Sequence, residues 1–225
     1  MKILVFAAHP DDAETTVGGS IARHTDAGDQ VHVINLTNDG TERVACAARA
    51  CQTLGCTCEF LAFRDVGGVP ATEGPQRLGV QFDSAHLAVV TAKLQEHRPD
   101  LVWAHWPVDT HPDHVAAGAL ALRACDQLRL AGAFCPELCF FLPAIGYQAL
   151  CCHPDHFEDI TAYRERKRRA VGEYECVHIW DAYAIHETSD KYHGYLAGCL
   201  YAEGFIRCHF RVGEPRYRVV GDGRD

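Results

Sequence analysis

Two short segments of the sequence combine histidines with carboxylates. Their members are His9, Asp11, Asp12 and Glu14 in the first segment and Asp109, His111, Asp113 and His114 in the second. A catalytic Zn²⁺ takes three His, Asp or Glu ligands and leaves a fourth position for a water, whose pKa falls to about 7. Two histidines and one aspartate would leave the ion with a net positive charge, so it would stay a Lewis acid. The two segments therefore predict a metal site that activates water for hydrolysis.

The remaining groups of the two segments suit the other steps of a hydrolysis. A further carboxylate can accept the proton of the attacking water, and a further histidine can stabilise an oxyanion or protonate a leaving amine. The spacing does not distinguish which of Asp11 and Asp12 binds the metal. Asp12 and Asp113 could instead cap helices. Zinc and iron both accept His and Asp ligands, so another divalent metal also fits these residue types.

The elements before the two segments decide where they lie. The apolar run at residues 2–8 predicts a buried strand that stops at the first segment, and residues 100–106 predict a strand before the second. In an open α/β sheet, ligands bind outside the carboxyl ends of the strands. We therefore expect the two segments to meet at one edge of a sheet.

Strand and helix patterns alternate along most of the chain. Further strands are predicted at residues 30–37, 59–63 and 138–142, and helices at residues 18–27, 43–54, 84–97 and 114–130. Such alternation needs crossover connections, which favours a mostly parallel sheet with helices on both faces. We predict a Rossmann-like, doubly wound α/β fold as a single domain over residues 1–220, with a frayed tail at 221–225.

The chain changes character after residue 150. The basic run at residues 164–169, in a predicted helix over 160–174, is typical of a solvated helix face. A last strand is predicted at residues 205–212. Residues 153–156 repeat the His-Pro-Asp-His of residues 111–114, but no strand-end aspartates accompany them. We predict a surface or pocket-rim loop for this repeat.

Composition excludes several classes of partner. The 225 residues are 48% hydrophobic, and 21 lysines and arginines against 30 aspartates and glutamates give a net charge of −9. An acidic chain without a basic stripe is a poor partner for nucleic acid or an anionic membrane. No apolar run approaches the roughly 20 residues of a spanning helix, and the first run is too short for an export signal. We therefore expect a cytoplasmic protein.

The sequence also holds 12 cysteines and 14 histidines. No C-x-x-C pair occurs, which disfavours a zinc ribbon. Cys46 and Cys51 fall in an alanine-rich helical pattern, where reduced thiols act as small buried side chains. Away from the two segments, His24 and His97 are predicted on helix surfaces and His32 in a strand.

One longer string carries a family resemblance. Ala8-His9-Pro10-Asp11-Asp12-Ala13-Glu14, followed by Gly18-Gly19 and later by His111-Pro112-Asp113-His114, resembles the LmbE-like, or PIG-L, family of zinc-dependent de-N-acetylases. That family includes N-acetylglucosaminyl-phosphatidylinositol deacetylase and the deacetylases of mycothiol and bacillithiol biosynthesis. The likeness is strong to about Val115 and looser beyond it.

The resemblance implies a role for each residue of the site. By position, His9, Asp12 and His114 correspond to the ligands of one Zn²⁺ per chain. Asp11 corresponds to the general base that deprotonates the zinc-bound water. The resemblance thus assigns Asp12 to the metal and Asp11 to the base, a distinction that the spacing of the two aspartates leaves open.

Further roles follow from the same resemblance. It implies that His111 stabilises the oxyanion, with Asp113 orienting it, and that Arg64 contacts polar groups of the substrate. The chain departs from the family in two places. Cys46 stands where a glutamate usually follows Arg43, and the His-Ser-Gln element is replaced around residues 175–178. Both departures lie outside the implied zinc ligands, so they bear on the substrate pocket more than on the chemistry.

These observations predict a hydrolase that removes the acetyl group from an N-acetylated amino sugar, in particular an N-acetylglucosamine conjugate. One alternative is an amidase or deacylase that acts on another acylated amino sugar or on an antibiotic intermediate. Another is a non-catalytic protein that binds a sugar or nucleotide, although no G-x-G-x-x-G follows the first strand. The expected partner is a small amino-sugar substrate, and a monomer and a homo-oligomer both fit the sequence.

Overall fold

The structure, a computed structural model, describes residues 1–38, 42–64, 79–142, 151–175 and 180–209, with the backbone alone at 180–182. Its strands are β1 (Lys2–Ala7), β2 (Gln30–Thr37), β3 (Thr57–Phe63), β4 (Leu101–His105), β5 (Glu137–Phe141), β6 (His156–Asp159) and β7 (Ala202–Cys208). Its helices are α1 (Asp12–Asp26), α2 (Glu42–Leu54), α3 (Ser84–His97), α4 (Pro112–Leu130), α5 (Arg164–Gly172) and α6 (Trp180–Ala197). Among these helices, none is long and apolar enough to cross a bilayer.

The strands form one sheet in the order β3-β2-β1-β4-β5-β7-β6. The first five run parallel, and β7 is antiparallel to both β5 and β6. The predicted mostly parallel, doubly wound sheet is therefore confirmed. β1 pairs with β2 on one side and β4 on the other, so the chain changes direction across the sheet at β1. The loops that leave β1 and β4 diverge there, and a crevice opens between them.

The apolar run of β1 is buried on both faces of the sheet. Ile3, Val5 and Ala7 pack in a core with residues of α1, α2 and α5. Leu4 and Phe6 pack in a second core with residues of α3 and α4. A strand covered on both faces has no polar side to alternate with, which explains the continuous run. Helices on both faces of the sheet are confirmed.

The N-terminal boundary of α1 differs from the predicted one. The helix begins at Asp12 and contains Gly18 and Gly19, which the sequence analysis placed at its start. A Cβ atom at Gly19 would lie 2.7 Å from Ile160 Cβ, so the glycine permits close packing there. Two elements were not predicted, the edge strand β6 and the helix α6. The predicted tail at 221–225 lies outside the described residues.

The predicted solvated face of the basic run is wrong for Lys167. This side chain is fully buried, and its Nζ lies 2.7 Å from both Asp190 Oδ2 and Glu203 Oε1. Glu203 also accepts hydrogen bonds from the backbone N–H groups of Gly19 and Ser20. One buried ammonium thus links α5, α6 and β7, and its partner Glu203 continues the network to α1.

His24 is also buried, contrary to its predicted place on a helix surface, and is 8% exposed. Its Nδ1 lies 2.7 Å from Asp29 Oδ2 and its Nε2 lies 3.2 Å from Glu158 Oε1. Burial opposes protonation of this ring, but the two carboxylates outweigh it and raise the pKa of His24.

The predicted burial of Cys46 and Cys51 is confirmed, and the eleven cysteines of the described residues are free thiols. The buried members are Cys46, Cys51, Cys56, Cys125 and Cys139.

Candidate metal centre

The loop after β1 holds Asp11 in a strained backbone conformation. Its φ of 147° is one that L-residues rarely adopt. Asp11 precedes the first turn of α1, yet its side chain makes no capping hydrogen bond. Instead the carboxylate lies 2.8 Å from Arg43 Nη2. Helix capping therefore does not account for this aspartate.

His9, Asp12 and His114 converge in the crevice between β1 and β4. His9 Nδ1 lies 3.3 Å from Asp12 Oδ2, and His114 Nε2 lies 3.4 Å from Asp12 Oδ1. For ligand bonds of 2.0–2.1 Å, the edge of a coordination tetrahedron is about 3.3–3.4 Å. All three residues are buried. The two distances end on different oxygens of Asp12, so the histidines flank one carboxylate.

His105 adds a fourth histidine, which the sequence analysis placed only as a strand residue. It ends β4, is fully buried, and its Nε2 lies 3.1 Å from Asp12 Oδ2. In the described residues, two groups at the centre could hold an ion, His9 with His111 and His114, and Asp12 with His105 and His114. His105 ends an apolar strand pattern. The position of His105 at the carboxyl end of the predicted strand was the only feature of the sequence that pointed to the metal centre.

Two carboxylates orient the histidines of the centre. Asp109 Oδ2 lies 3.1 Å from His114 Nδ1, and Asp113 Oδ2 lies 3.1 Å from His9 Nε2. A metal-binding histidine usually gives its second ring nitrogen to a carboxylate, which fixes the nitrogen left for the ion. Here the nitrogens left over, Nε2 of His114 and Nδ1 of His9, are the two that face Asp12.

Asp113 was expected to orient His111. Its carboxylate contacts His9 and accepts a hydrogen bond from the backbone N–H of Val80 at 2.8 Å. The backbone N–H of Asp113 donates to His111 Nδ1 at 3.3 Å, and this bond caps α4. His111 therefore carries its ring proton on Nε2 when neutral. An influence of Asp113 on His111 stays a prediction.

The neighbouring carboxylates Asp11 and Asp12 differ in acidity. Burial raises the pKa of Asp11 to about 6, with a contribution from Asp12 and against the charge of Arg43. Burial also opposes ionisation of Asp12, but His114 and His105 outweigh it and hold the pKa of Asp12 well below its usual range. Two adjacent acids whose pKa values are pushed apart can take different roles.

The pKa values of His111 and Glu14, near the centre, are also shifted. Burial and the charge of His114 lower the pKa of His111, which favours the neutral ring. Burial raises the pKa of Glu14 to about 8. Glu14 Oε1 accepts a hydrogen bond from Cys51 Sγ at 3.6 Å. Glu14 is therefore protonated at neutral pH and suits packing better than metal binding.

Arg64 and the repeated motif take no part in the contacts described above. Arg64 is exposed just after β3, and its contact with substrate stays a prediction. In the repeat, His153 is exposed, and Asp155 accepts a hydrogen bond from the backbone N–H of Arg207. His156 begins the edge strand β6. Within the described residues, neither histidine belongs to a group that could hold a metal. The predicted loop is therefore confirmed for residues 153–155 and is wrong for His156, which lies in a strand.

Comparison with known proteins adds to the geometry. Residues 4–125 match the PIG-L family profile, described as GlcNAc-PI de-N-acetylase. The chain is 29% identical to the diacetylchitobiose deacetylase of Thermococcus kodakarensis, over 90% of this chain and 81% of that protein. It is 31% identical to the 1D-myo-inositol 2-acetamido-2-deoxy-alpha-D-glucopyranoside deacetylase of Rhodococcus erythropolis, over 56% of this chain and 53% of that protein.

A solved structure shares the fold over nearly the whole chain. The crystal structure of GalB, the 4-carboxy-2-hydroxymuconate hydratase of Pseudomonas putida, superposes with a TM-score of 0.75. It covers 95% of this chain and 98% of that one, at 24% identity. That protein is named as a hydratase, so the reaction has to be argued from the site and not from the fold.

Proposed function

Because this chain belongs to the PIG-L family of GlcNAc-PI de-N-acetylases, we propose that it removes the acetyl group from an N-acetylated amino sugar, in particular an N-acetylglucosamine conjugate. The observation that carries the proposal is the buried convergence of His9 and His114 on the carboxylate of Asp12, with the strained Asp11 beside it. The two curated relatives are named for N-acetylated glucosamine compounds, which supports this substrate class.

His9, Asp12 and His114 would hold the metal, and we propose Zn²⁺, which takes His and carboxylate ligands in hydrolytic sites. When bound, such an ion supplies Lewis acidity to the amide carbonyl and to water. Asp109 and Asp113 keep the histidine rings in the orientation that this requires. A predominantly ionised Asp12 is the form that binds a cation.

Asp11 takes the proton of the attacking water. The water oxygen bonds to the amide carbon and one of its protons moves to the Asp11 carboxylate. That proton then passes to the amine nitrogen as the carbon–nitrogen bond breaks, so that acetate and a free amine are the products. A pKa of about 6 leaves Asp11 ionised at neutral pH but basic enough for this transfer. The contact with Arg43 holds the carboxylate in place.

His111 stabilises the negative charge that develops on the carbonyl oxygen. Its Nδ1 accepts the backbone N–H of Asp113, so its Nε2–H is the donor that remains. A donor fixed in advance in a buried crevice is worth more than one that must reorient. Arg64 is proposed to contact polar groups of the sugar from the rim.

Metal content and acetate release test this function together. The protein is loaded with Zn²⁺ and incubated with diacetylchitobiose and with a glucosaminyl-inositol N-acetylated on its amine, and free acetate is measured. We expect release that stops after chelation and returns with Zn²⁺. Metal-loaded protein that releases no acetate from any N-acetylglucosamine conjugate would contradict the proposal. Arg123→Ala, which changes an exposed side chain that pairs with Asp126 on α4, serves as control and should keep the activity.

A further inference from the structure

A second group of two histidines and a carboxylate lies at the opposite end of the sheet. His32 is near the start of β2, Glu59 is near the start of β3, and His97 ends α3. β2 and β3 run parallel to β1, whose carboxyl end forms the candidate metal centre. The group is therefore separated from that centre by the length of the strands.

The three side chains point their donor atoms at one another. His32 Nε2 and His97 Nε2 each lie 3.4 Å from Glu59 Oε1. The two rings are stacked, with centroids 4.6 Å apart and planes at 21°. All three donor atoms are shielded from solvent, and none has a hydrogen-bond partner among the residues that the structure describes.

The spacing suits metal ligands better than hydrogen bonds. A charge-assisted N–H···O bond is about 2.7–2.9 Å long, shorter than both of these contacts. The edge of a tetrahedron around Zn²⁺ is about 3.3–3.4 Å for bonds of 2.0–2.1 Å. A buried polar atom without a partner costs stability. One cation among the three atoms would satisfy all of them.

The neighbouring groups leave these donor atoms available. Thr57 Oγ1 lies 2.7 Å from His32 Nδ1. This hydrogen bond occupies Nδ1, so Nε2 is the ring nitrogen that remains for a metal ion. Lys93 Nζ donates to Glu59 Oε2 at 2.8 Å, so Oε1 is the oxygen that remains for a metal ion. Lys93 Nζ also donates to Glu96. With one lysine between two glutamates, the surroundings keep a net negative charge that favours a cation.

We propose that His32, Glu59 and His97 form a second binding site for a divalent transition-metal ion of the zinc type. Two imidazoles with one carboxylate suit Zn²⁺, whereas Mg²⁺ and Ca²⁺ prefer oxygen ligands alone. A cavity of about 540 Å³, lined by both histidines, adjoins the group and has room for the water that completes four ligands. The ion would join β2, β3 and the end of α3, and so stabilise the sheet where the chain turns into β4.

The test measures how many zinc ions each protein molecule holds. Metal-free protein is titrated with Zn²⁺, passed through gel filtration in metal-free buffer, and its zinc content is measured. We expect the wild type to hold one equivalent more than His97→Ala or His32→Ala. Glu59→Gln keeps the shape of the side chain and should lose the same equivalent, which guards against a misfolded histidine variant. His86→Ala removes another histidine of α3 and should keep the full content.

A second readout separates this site from the candidate metal centre. The additional equivalent should raise the unfolding temperature of the wild type but not of His97→Ala, and Mg²⁺ should have no such effect. His114→Ala should still hold the ion at His32, Glu59 and His97. Equal zinc content in the wild type and His97→Ala would overturn the proposal, whatever the outcome of the acetate assay.

Discussion

Asp113 Oδ2 lies 3.1 Å from His9 Nε2 and so joins the first turn of α4 to the loop after β1, across 104 positions of the sequence. The Asp113 side chain is fully buried in this contact. It aligns His9 so that Nδ1 faces Asp12, which is the orientation that a shared ion needs. We therefore propose that Asp113 acts on the candidate metal centre through His9, as a positioning residue.

Asp113→Asn should weaken Zn²⁺ binding about 10- to 100-fold, because the amide keeps the shape but loses the charge that fixes the His9 ring. Competition with a chelator of known affinity measures the change. Asp126→Asn, on the outer part of the same helix, is the matched control. Unchanged affinity in Asp113→Asn would mean that the His9 contact does not support the centre.

Asp11→Asn should keep the metal and lower kcat by about 10²- to 10⁴-fold, because the proton acceptor is lost while the proposed ligands remain. Asp12→Asn should instead lose the metal. Zinc content and acetate release, measured on both variants, separate the two neighbouring carboxylates. A kcat near the wild-type value in Asp11→Asn would show that another group accepts the proton.

Lys167→Met should lower the free energy of unfolding by about 3–5 kcal/mol, because it leaves the Asp190 and Glu203 carboxylates buried without their cation. Urea unfolding followed by circular dichroism gives the difference. Arg168→Met, one position along and exposed, should change it by less than about 1 kcal/mol. Equal effects of the two substitutions would contradict a special role for the buried ammonium.

His24→Asn should destabilise the protein more at acidic than at alkaline pH. The pKa of His24 is raised in the folded state, so its pairing with Glu158 and Asp29 stabilises the fold fully below its unfolded pKa and is lost as the pH rises through the folded value. We expect a loss of about 2 kcal/mol at pH 5.5, since charged hydrogen bonds are removed, and a smaller loss at pH 9. Urea unfolding at both pH values checks this, and an equal loss at both would rule out the charged pair.

The local pattern of the sequence determined most of the sheet and the two polar segments of the candidate metal centre. β2 and α3 have the predicted bounds. Asp83 caps α3 by accepting from two backbone N–H groups, and Arg98 before a proline ends it. Apolar periodicity and helix caps act within a few residues, so they can be read from a single chain.

The tertiary structure decided what depends on partners from distant elements. The start of α1 depends on the loop after β1, and the burial of Lys167 depends on carboxylates in α6 and β7. His105 looked like one more residue of a buried strand until the pairing of β4 with β1 placed it near Asp12. His32 and His97 looked unrelated to each other until the sheet and α3 stacked their rings. Strand register and helix packing set such contacts, and no local pattern in the sequence records them.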